Sequence, residues 1–309
     1  MRVLAHIHTF NDADIIDRPI ESVLRQTHPV DAILVVDNAS TDDTLEQPCL
    51  NDAIILRHRE NTGTSGGVHS GMRFALEHDY DWIWLLDADS VPEADALEKL
   101  LDLYSSWPQN RQEETGFLAC LPYNMQDGAP LYGGVFTQSG FARASPTPAE
   151  HYYPCHVTIW SGCLYRLAAV RQIGLPNPNY VLDWGETEYG YRVMKAGYQG
   201  VIDQDAVLRH NIRGYPSLAE AAFKLGPITL RLFEFPPIRC YYTCRNSLYF
   251  ALYDYDSAQG RFRLILHAVL GLARLTVNFL LRPRTRSEQI VACSRGVWHG
   301  VTGNIAARY

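Results

Sequence analysis

The chain has no CxxC pair, no GxGxxG, no lysine following its glycine-rich stretch, and no internal repeat or low-complexity tract. Each absence removes a class of function. The seven cysteines, at positions 49, 120, 155, 163, 240, 244 and 293, are odd in number and lack zinc-type spacing. That sets aside a disulfide framework and suits a reducing compartment. Cys240 and Cys244 stand four apart, a spacing that serves helix packing more often than a metal. Without GxGxxG or a Walker lysine, dinucleotide-binding and ATPase readings are weak. A basic excess is also missing: 27 Lys and Arg face 34 Asp and Glu, for a net charge of -7. No nucleic-acid partner held by bulk electrostatics is expected. Residues 1–6 lack the shape of a signal peptide, so a cytoplasmic location is expected, extending to the inner face of the plasma membrane.

What is present is an ordinary folding composition, 47% hydrophobic and 20% charged, in 309 residues. That length holds one large domain, or one domain and a smaller unit. Residues 3–7, 32–36, 54–56 and 82–86 are short apolar runs, each ending in polar residues. Helical spacing follows over 15–27, about 68–78 and about 93–105, with Pro19 near the first turn of the first helix. Four strand-helix alternations predict a mainly parallel sheet with helices on both faces. In such sheets ligands bind outside the carboxyl ends of the strands, so four distant polar loops converge on one crevice.

The run Trp82-Ile83-Trp84-Leu85-Leu86 ends in Asp87-Ala88-Asp89. Side chains two apart on an extended segment point the same way, and two such carboxylates repel unless a cation sits between them. A hard divalent cation with oxygen ligands answers that need and would also hold a phosphate-bearing substrate. The plainer alternative is a polar strand end followed by a helix cap, since Ser90-Val91-Pro92-Glu93 suits a helix start. Asp37, at the second strand end, suits either a nucleobase N–H or a turn. Asn61-Thr62-Gly63-Thr64-Ser65-Gly66-Gly67 reads as a loop that lets backbone approach a ligand. Asp183-Trp184-Gly185-Glu186-Thr187-Glu188-Tyr189 places three carboxylates at a helix start, where dipole complementation accounts for Glu186 and Glu188 but not Asp183-Trp184.

Later segments are harder to place. Residues 117–121 read as a strand, 123–150 as a long surface excursion, 156–165 as a strand and turn, 187–197 as a helix, and 200–202 and 206–208 as two short strands. Leu264–Leu281 is mostly apolar but contains His267, Arg274 and Asn278, and arginines flank it. It is a poor membrane span, and reads as either a core or contact helix or an interfacial helix on an anionic membrane.

These motifs together resemble the inverting family 2 glycosyltransferases of the GT-A fold, most closely their bacterial rhamnosyltransferase and galactofuranosyltransferase branch. The resemblance spans nearly the whole chain. It rests on Ser22–Thr27, Val35–Asp42, Asn61–Gly67, Leu86–Asp89, Asp183–Arg192, Leu208–His210 and Tyr241–Asn246, in that order. It implies an α/β GT-A, Rossmann-like mixed sheet with helices on both faces over residues 1–215. A nucleotide-sugar half would span about 1–105 and an acceptor half about 106–215. A C-terminal helical region over 216–309 would serve acceptor, membrane-surface or subunit contacts. Thr9, Asn11, Asp37, Asn61, Gly63, Gly67 and Asp87 would hold the nucleotide sugar. Asp87, Asp89 and His210 would bind Mg²⁺ or Mn²⁺, which neutralises charge on the departing diphosphate. Glu186 would be the base, in a position where the family usually has Asp, with Asp183 or Glu188 as alternatives if the register differs. Trp184, Tyr189, Arg245 and Asn246 would meet the acceptor.

The implied donor is a UDP- or dTDP-sugar, with UDP-galactofuranose and dTDP-rhamnose fitting equally. The implied acceptor is a glycan or a lipid-linked intermediate of cell-surface polysaccharide synthesis. Peripheral membrane association and a homo-oligomer stay open. Two competitors remain: a non-catalytic sugar-nucleotide or glycan-binding protein on the same fold, and a nucleotidyltransferase. The latter would want a basic loop near the N-terminus, and Thr9–Asp14 holds no Lys or Arg.

Overall fold

Alternation along the first strands sets the layers. In the computed structural model, β1 (Val3–Thr9), β2 (Ala32–Asp37), β3 (Ile54–Arg57) and β4 (Trp82–Asp87) run parallel in the order β3-β2-β1-β4. Odd positions of β1 (Val3, Ala5, Ile7) join one apolar cluster with Ile33, Val35, Trp82, Trp84 and Leu86. Leu4 joins the opposite cluster with Leu34, Val36, Ile83 and Leu85. Both faces of these strands are therefore buried, as their continuous apolar runs require. The structure describes residues 1–137, 140–144, 146, 149–211, 221–225, 228–232, 236–257, 260–266, 268–271 and 286–309.

Helices α1 (Asp17–Leu24), α2 (Gly63–Glu77) and α3 (Ala96–Ser106) supply the layers. Ile20 and Val23 of α1 and Leu97, Leu100 and Leu101 of α3 pack on the first face. Val68, Met72 and Ala75 of α2 pack on the second. A short α4 (Gln109–Glu114) leads into β6 (Thr115–Asn124). Between β4 and β6 lies β10 (Cys163–Arg166), antiparallel to both, so the sheet is mixed. Beyond β6 come the parallel β11 (Gln199–His210) and the antiparallel β5 (Ser90–Pro92), with β9 (Tyr152–Cys155) also paired to β11. Two helices, α5 (Leu167–Ile173) and α6 (Gly185–Lys195), complete the second face.

Several expectations change. Ser90-Val91-Pro92 is a strand and not a helix start, because His210, Arg209 and Leu208 of β11 pair with it; the helix begins at Ala96. The glycine-rich loop is the first turns of α2, which starts at Gly63. The segments 200–202 and 206–208 are one strand, with its register shifted between Asp203 and Val207. The excursion over 123–150 contains β7 (Gly134–Thr137) and β8 (Gly140–Arg143).

The chain divides into two compact units. One comprises Met1–Phe136, Ala142–Val181 and Gly185–Asn211; the other comprises Thr137–Phe141, Leu182–Trp184 and Ile212–Tyr309. The second unit is not purely helical, since β12 (Ala221–Leu225) pairs antiparallel with β13 (Ile228–Leu232). Its helices α7 (Pro237–Tyr249) and α8 (Arg286–Val301) pack closely, with Gly296 against the Tyr241 carbonyl. Cys240 and Cys244 are buried on α7, and their thiols donate to Cys293 of α8. All seven cysteines are free. Of Leu264–Leu281, residue 267 and residues 272–281 lie outside the described residues. No helix among the described residues is long and apolar enough to cross a membrane.

Candidate active site

The carboxyl end of β4 carries Asp87, and the turn after it carries Asp89. The Asp89 carbonyl accepts the Asn211 N–H (3.0 Å), which ties this turn to the end of β11. His210, the last residue of β11, stands opposite Ser90 in the β5–β11 register. Ligand atoms of Asp87, Asp89 and His210 fall within 4.8 Å of one another. His210 Nε2 lies 3.9 Å from Asp87 Oδ2, and His210 Nδ1 lies 3.6 Å from Asp89 Oδ1. All three side chains are largely shielded, with relative exposures of 24%, 15% and 11%. Two carboxylates and an imidazole form a donor set suited to a hard or borderline divalent ion. Asp87 Oδ1 is buried and accepts no hydrogen bond among the described residues; His8 Nε2 lies 3.3 Å from it. The residues fit the divalent metal that the sequence implies.

His8 was not anticipated. It pairs directly with Asp87 in the β1–β4 register and stacks on His6 at 5.9 Å. The sequence signal was there: His6 and His8 interrupt an otherwise apolar strand on one face.

At the adjacent ends of β1 and β2, Thr9 stands beside Asp37. Thr9 Oγ1 donates to Asp12 Oδ2 at 2.9 Å. Asp37 is wholly buried; its Oδ1 accepts the Ser40 N–H (3.0 Å) and its Oδ2 lies 3.2 Å from Arg57 Nε. Asn11 adopts a left-handed φ of 56°. Its N–H donates to Ser40 Oγ (2.9 Å) and its Oδ1 accepts the Thr41 N–H (2.8 Å). These bonds lock the two strand-end loops together. Asn61 Oδ1 accepts the Gly63 N–H at 2.8 Å. Gly63 needs to be glycine, since its φ is +70° and a Cβ there would lie 1.9 Å from the Val181 carbonyl oxygen. A Cβ on Gly67 would meet His8 Cβ at 3.0 Å. Gly67 thus lets α2 approach β1 closely. Beside them His58 bonds Asn38 Oδ1 (3.0 Å) and Ser70 Oγ (2.9 Å), and burial holds its imidazole below the usual range.

The three carboxylates near α6 separate by partner. Glu188 is buried and pairs with Arg192, Nε to Oε1 2.5 Å, while Arg192 also donates to the carbonyls of Ile173 and Leu175. Asp183, with φ 59°, is held in the second unit by Arg239 (2.8 Å) and Thr243 Oγ1 (2.8 Å). Glu186, in the first turn of α6, is half-buried. The Cys163 thiol is pushed well up by burial, then by Cys155 and Cys120, then by the charges of Asp87 and Glu186.

The four side chains expected at the acceptor differ in exposure and partners. Tyr189 is wholly buried in the sheet-helix core, and its hydroxyl donates to the Gly174 carbonyl at 3.0 Å. Arg245 and Asn246 are wholly buried in the second unit. Asn246 Nδ2 donates to the carbonyls of Leu182 (2.8 Å) and Asp183 (2.9 Å), and Arg245 Nε donates to Asn246 Oδ1 at 2.8 Å. Trp184, half-buried with φ 70°, packs at a tilt against Phe250, ring centroids 5.7 Å apart.

Residues 5–109 match the family model described as glycosyl transferase family 2. Galactofuranosyltransferase GlfT1 of Mycobacterium tuberculosis is 24% identical over 216 residues, covering 67% of this chain and 69% of the relative. The undecaprenyl-phosphate mannosyltransferase of Micrococcus luteus is 24% identical over 244 residues, covering 76% and 82%. Among solved structures, S. aureus TarS residues 1–349 in complex with UDP-GlcNAc aligns with a TM-score of 0.59 at 13% identity, over 99% of this chain and 88% of that one. GalNAc-T7 with UDP, GalNAc and Mn²⁺ aligns with a TM-score of 0.57 at 15% identity, over 69% of this chain but only 44% of that one. With the strand-end carboxylates and the mixed sheet in place, residues 5–109 carry a family 2 glycosyltransferase domain, and the chain has the GT-A fold of these neighbours.

Proposed function

We propose that the chain is a metal-dependent inverting glycosyltransferase. In this reading it moves a sugar from a nucleoside-diphosphate donor to a hydroxyl of a glycan or lipid-linked acceptor in cell-surface polysaccharide synthesis. The observation that carries the reading is the convergence of Asp87, Asp89 and His210 at one strand end. UDP-galactofuranose and dTDP-rhamnose are the proposed donors. The GlfT1 relatives favour the former, and the UDP complexes of the structural neighbours favour a uridine nucleotide.

Asp87, Asp89 and His210 would hold Mg²⁺ or Mn²⁺, which when bound offsets the negative charge that develops on a departing diphosphate. The loops of Thr9, Asn11 and Asp37 offer the nucleoside a polar edge at neighbouring strand ends. Glu186 takes the proton of the acceptor hydroxyl as that oxygen bonds to the anomeric carbon. The carbon–diphosphate bond breaks on the opposite face, so the configuration inverts. Glu186 is preferred over Asp183 and Glu188 because it aligns with the position of the family's base, in the first turn of α6. Trp184 is the acceptor contact best supported by exposure.

Asp89→Ala and Glu186→Gln test the reading. Both are expected to abolish donor turnover with the thermal unfolding midpoint unchanged; unchanged transfer by both variants would refute it.

An anionic membrane surface is the proposed location of the second unit. Residues 237–309 hold ten arginines, no lysine and three acidic side chains in a chain whose net charge is -7. Phe262, Leu266, Val269 and Leu270 are exposed at helical spacing beside Arg261 and Arg263. Apolar and arginine side chains on one short helix suit a lipid headgroup boundary.

A further inference from the structure

Two serines link the backbone of one candidate ligand to the ring of another. Asp87 N–H donates to Ser161 Oγ at 3.0 Å. Ser161 Oγ donates to Ser90 Oγ at 2.7 Å. Ser90 Oγ lies 2.6 Å from His210 Nδ1. Both serines are buried, at 0% and 1% exposure, so these bonds have no water to replace them. Each link is anchored by a different element. Ser90 is the first residue of β5 and is paired with His210 across β11. Ser161 precedes Gly162, whose N–H donates to the Leu85 carbonyl of β4 (2.8 Å) and whose carbonyl accepts the Cys120 N–H of β6 (3.1 Å). The chain of bonds therefore crosses the sheet beneath the carboxylates.

We propose that Ser90 and Ser161 are positioning residues of the metal site, which fix the His210 ring and the Asp87 backbone relative to each other. The inference rests on the metal reading above. Ser90 Oγ accepts the Ser161 hydroxyl and is hydrogen-bonded to His210 Nδ1, which fixes the plane of the ring. With Nδ1 engaged, Nε2 is the ring nitrogen 3.9 Å from Asp87 Oδ2. An imidazole held through its other nitrogen is set in plane before any cation arrives, and loss of such a partner typically weakens metal affinity by about 10–100-fold. The length of the chain matters as well. Removing Ser161 frees the Asp87 N–H and Ser90 together, so the more distant hydroxyl affects two ligands.

The test is Mn²⁺ binding to the full chain, read from the free-ion EPR signal in the presence of UDP. Ser90→Ala and Ser161→Ala are each expected to weaken Mn²⁺ binding by about 10-fold or more. Ser70→Ala, which removes a comparable buried Ser–His contact at His58 (2.9 Å), is expected to leave Mn²⁺ affinity within about 2-fold. In a His210→Ala background, Ser90→Ala should add less than about 2-fold, because its effect runs through the ring. If Ser90→Ala does not fold, Ser161→Ala takes its place, and in the His210→Ala background it should keep only the part of its loss that runs through the Asp87 N–H. Wild-type affinity retained in both serine variants, or a full additional loss in the His210→Ala background, overturns the positioning role and leaves the metal reading standing. No Mn²⁺ binding by the wild-type chain overturns the metal reading itself.

Discussion

Single side chains near the start of α6 are sorted by what holds them. Glu188 is buried against Arg192, so Glu188→Gln leaves that guanidinium short of its charge partner. A loss of about 2 kcal/mol is expected in denaturant unfolding, with transfer per folded molecule changed only a few-fold. Glu186→Gln should do the reverse. The sequence shows all three carboxylates but cannot rank them, because the arginine that engages Asp183 stands 56 residues away. His6 makes a second case. Burial, then the neighbouring His8, holds its imidazole down at about 3 against an ordinary 6.5. Below pH 6.5 the unfolded chain takes up a proton that the native state refuses, so stability is lost as pH falls from 6.5 toward 3. His6→Phe should flatten that slope by about one proton, or about 1.4 kcal/mol per pH unit, in urea midpoints measured across the window.

Elements were legible where periodicity is strong and obscure where a distant partner decides. The parallel strands and the amphipathic α1 and α3 follow from their apolar spacing. The first turns of α2 carry no apolar stripe, and Gly63-Thr64-Ser65-Gly66-Gly67 resembles a ligand loop for that reason. Gly67, with Gly71 one turn on, sets the approach of α2 to β1. A Cβ on Gly71 would lie 2.2 Å from the His6 ring. Gly71→Ala is therefore expected to cost about 1–3 kcal/mol through overpacking, although alanine favours an exposed helix by about 1 kcal/mol. A stabilised Gly71→Ala variant in thermal unfolding would show that the helix can retreat. β5 is obscure for another reason: Ser90-Val91-Pro92 has good capping chemistry, and only β11, arriving 120 residues later, makes it a strand.

Across the whole molecule, charge and chemistry separate along the chain. The acidic balance resides in the residues before 237, where the candidate metal and base lie, and the arginines after 237 reverse it. Binding to vesicles containing phosphatidylglycerol is therefore expected to exceed binding to pure phosphatidylcholine and to fall as salt rises. Phe262→Asp combined with Leu266→Asp should reduce it, and equal sedimentation with both vesicle types would contradict a charged docking face. The cluster of Asp87, Asp89 and His210 was legible in the sequence because spacing and order carry chemistry. His8, Ser90 and Ser161 were not, because only sheet register brings them to the carboxylates. The central claim is tested most directly by the anomeric configuration of the product, read by NMR after reaction of UDP-galactofuranose or dTDP-rhamnose with a glycan acceptor, with Mn²⁺ and with EDTA. The account predicts a product inverted relative to the donor, formed with Mn²⁺ and absent with EDTA. Retention of configuration, or equal yield in EDTA, would contradict it.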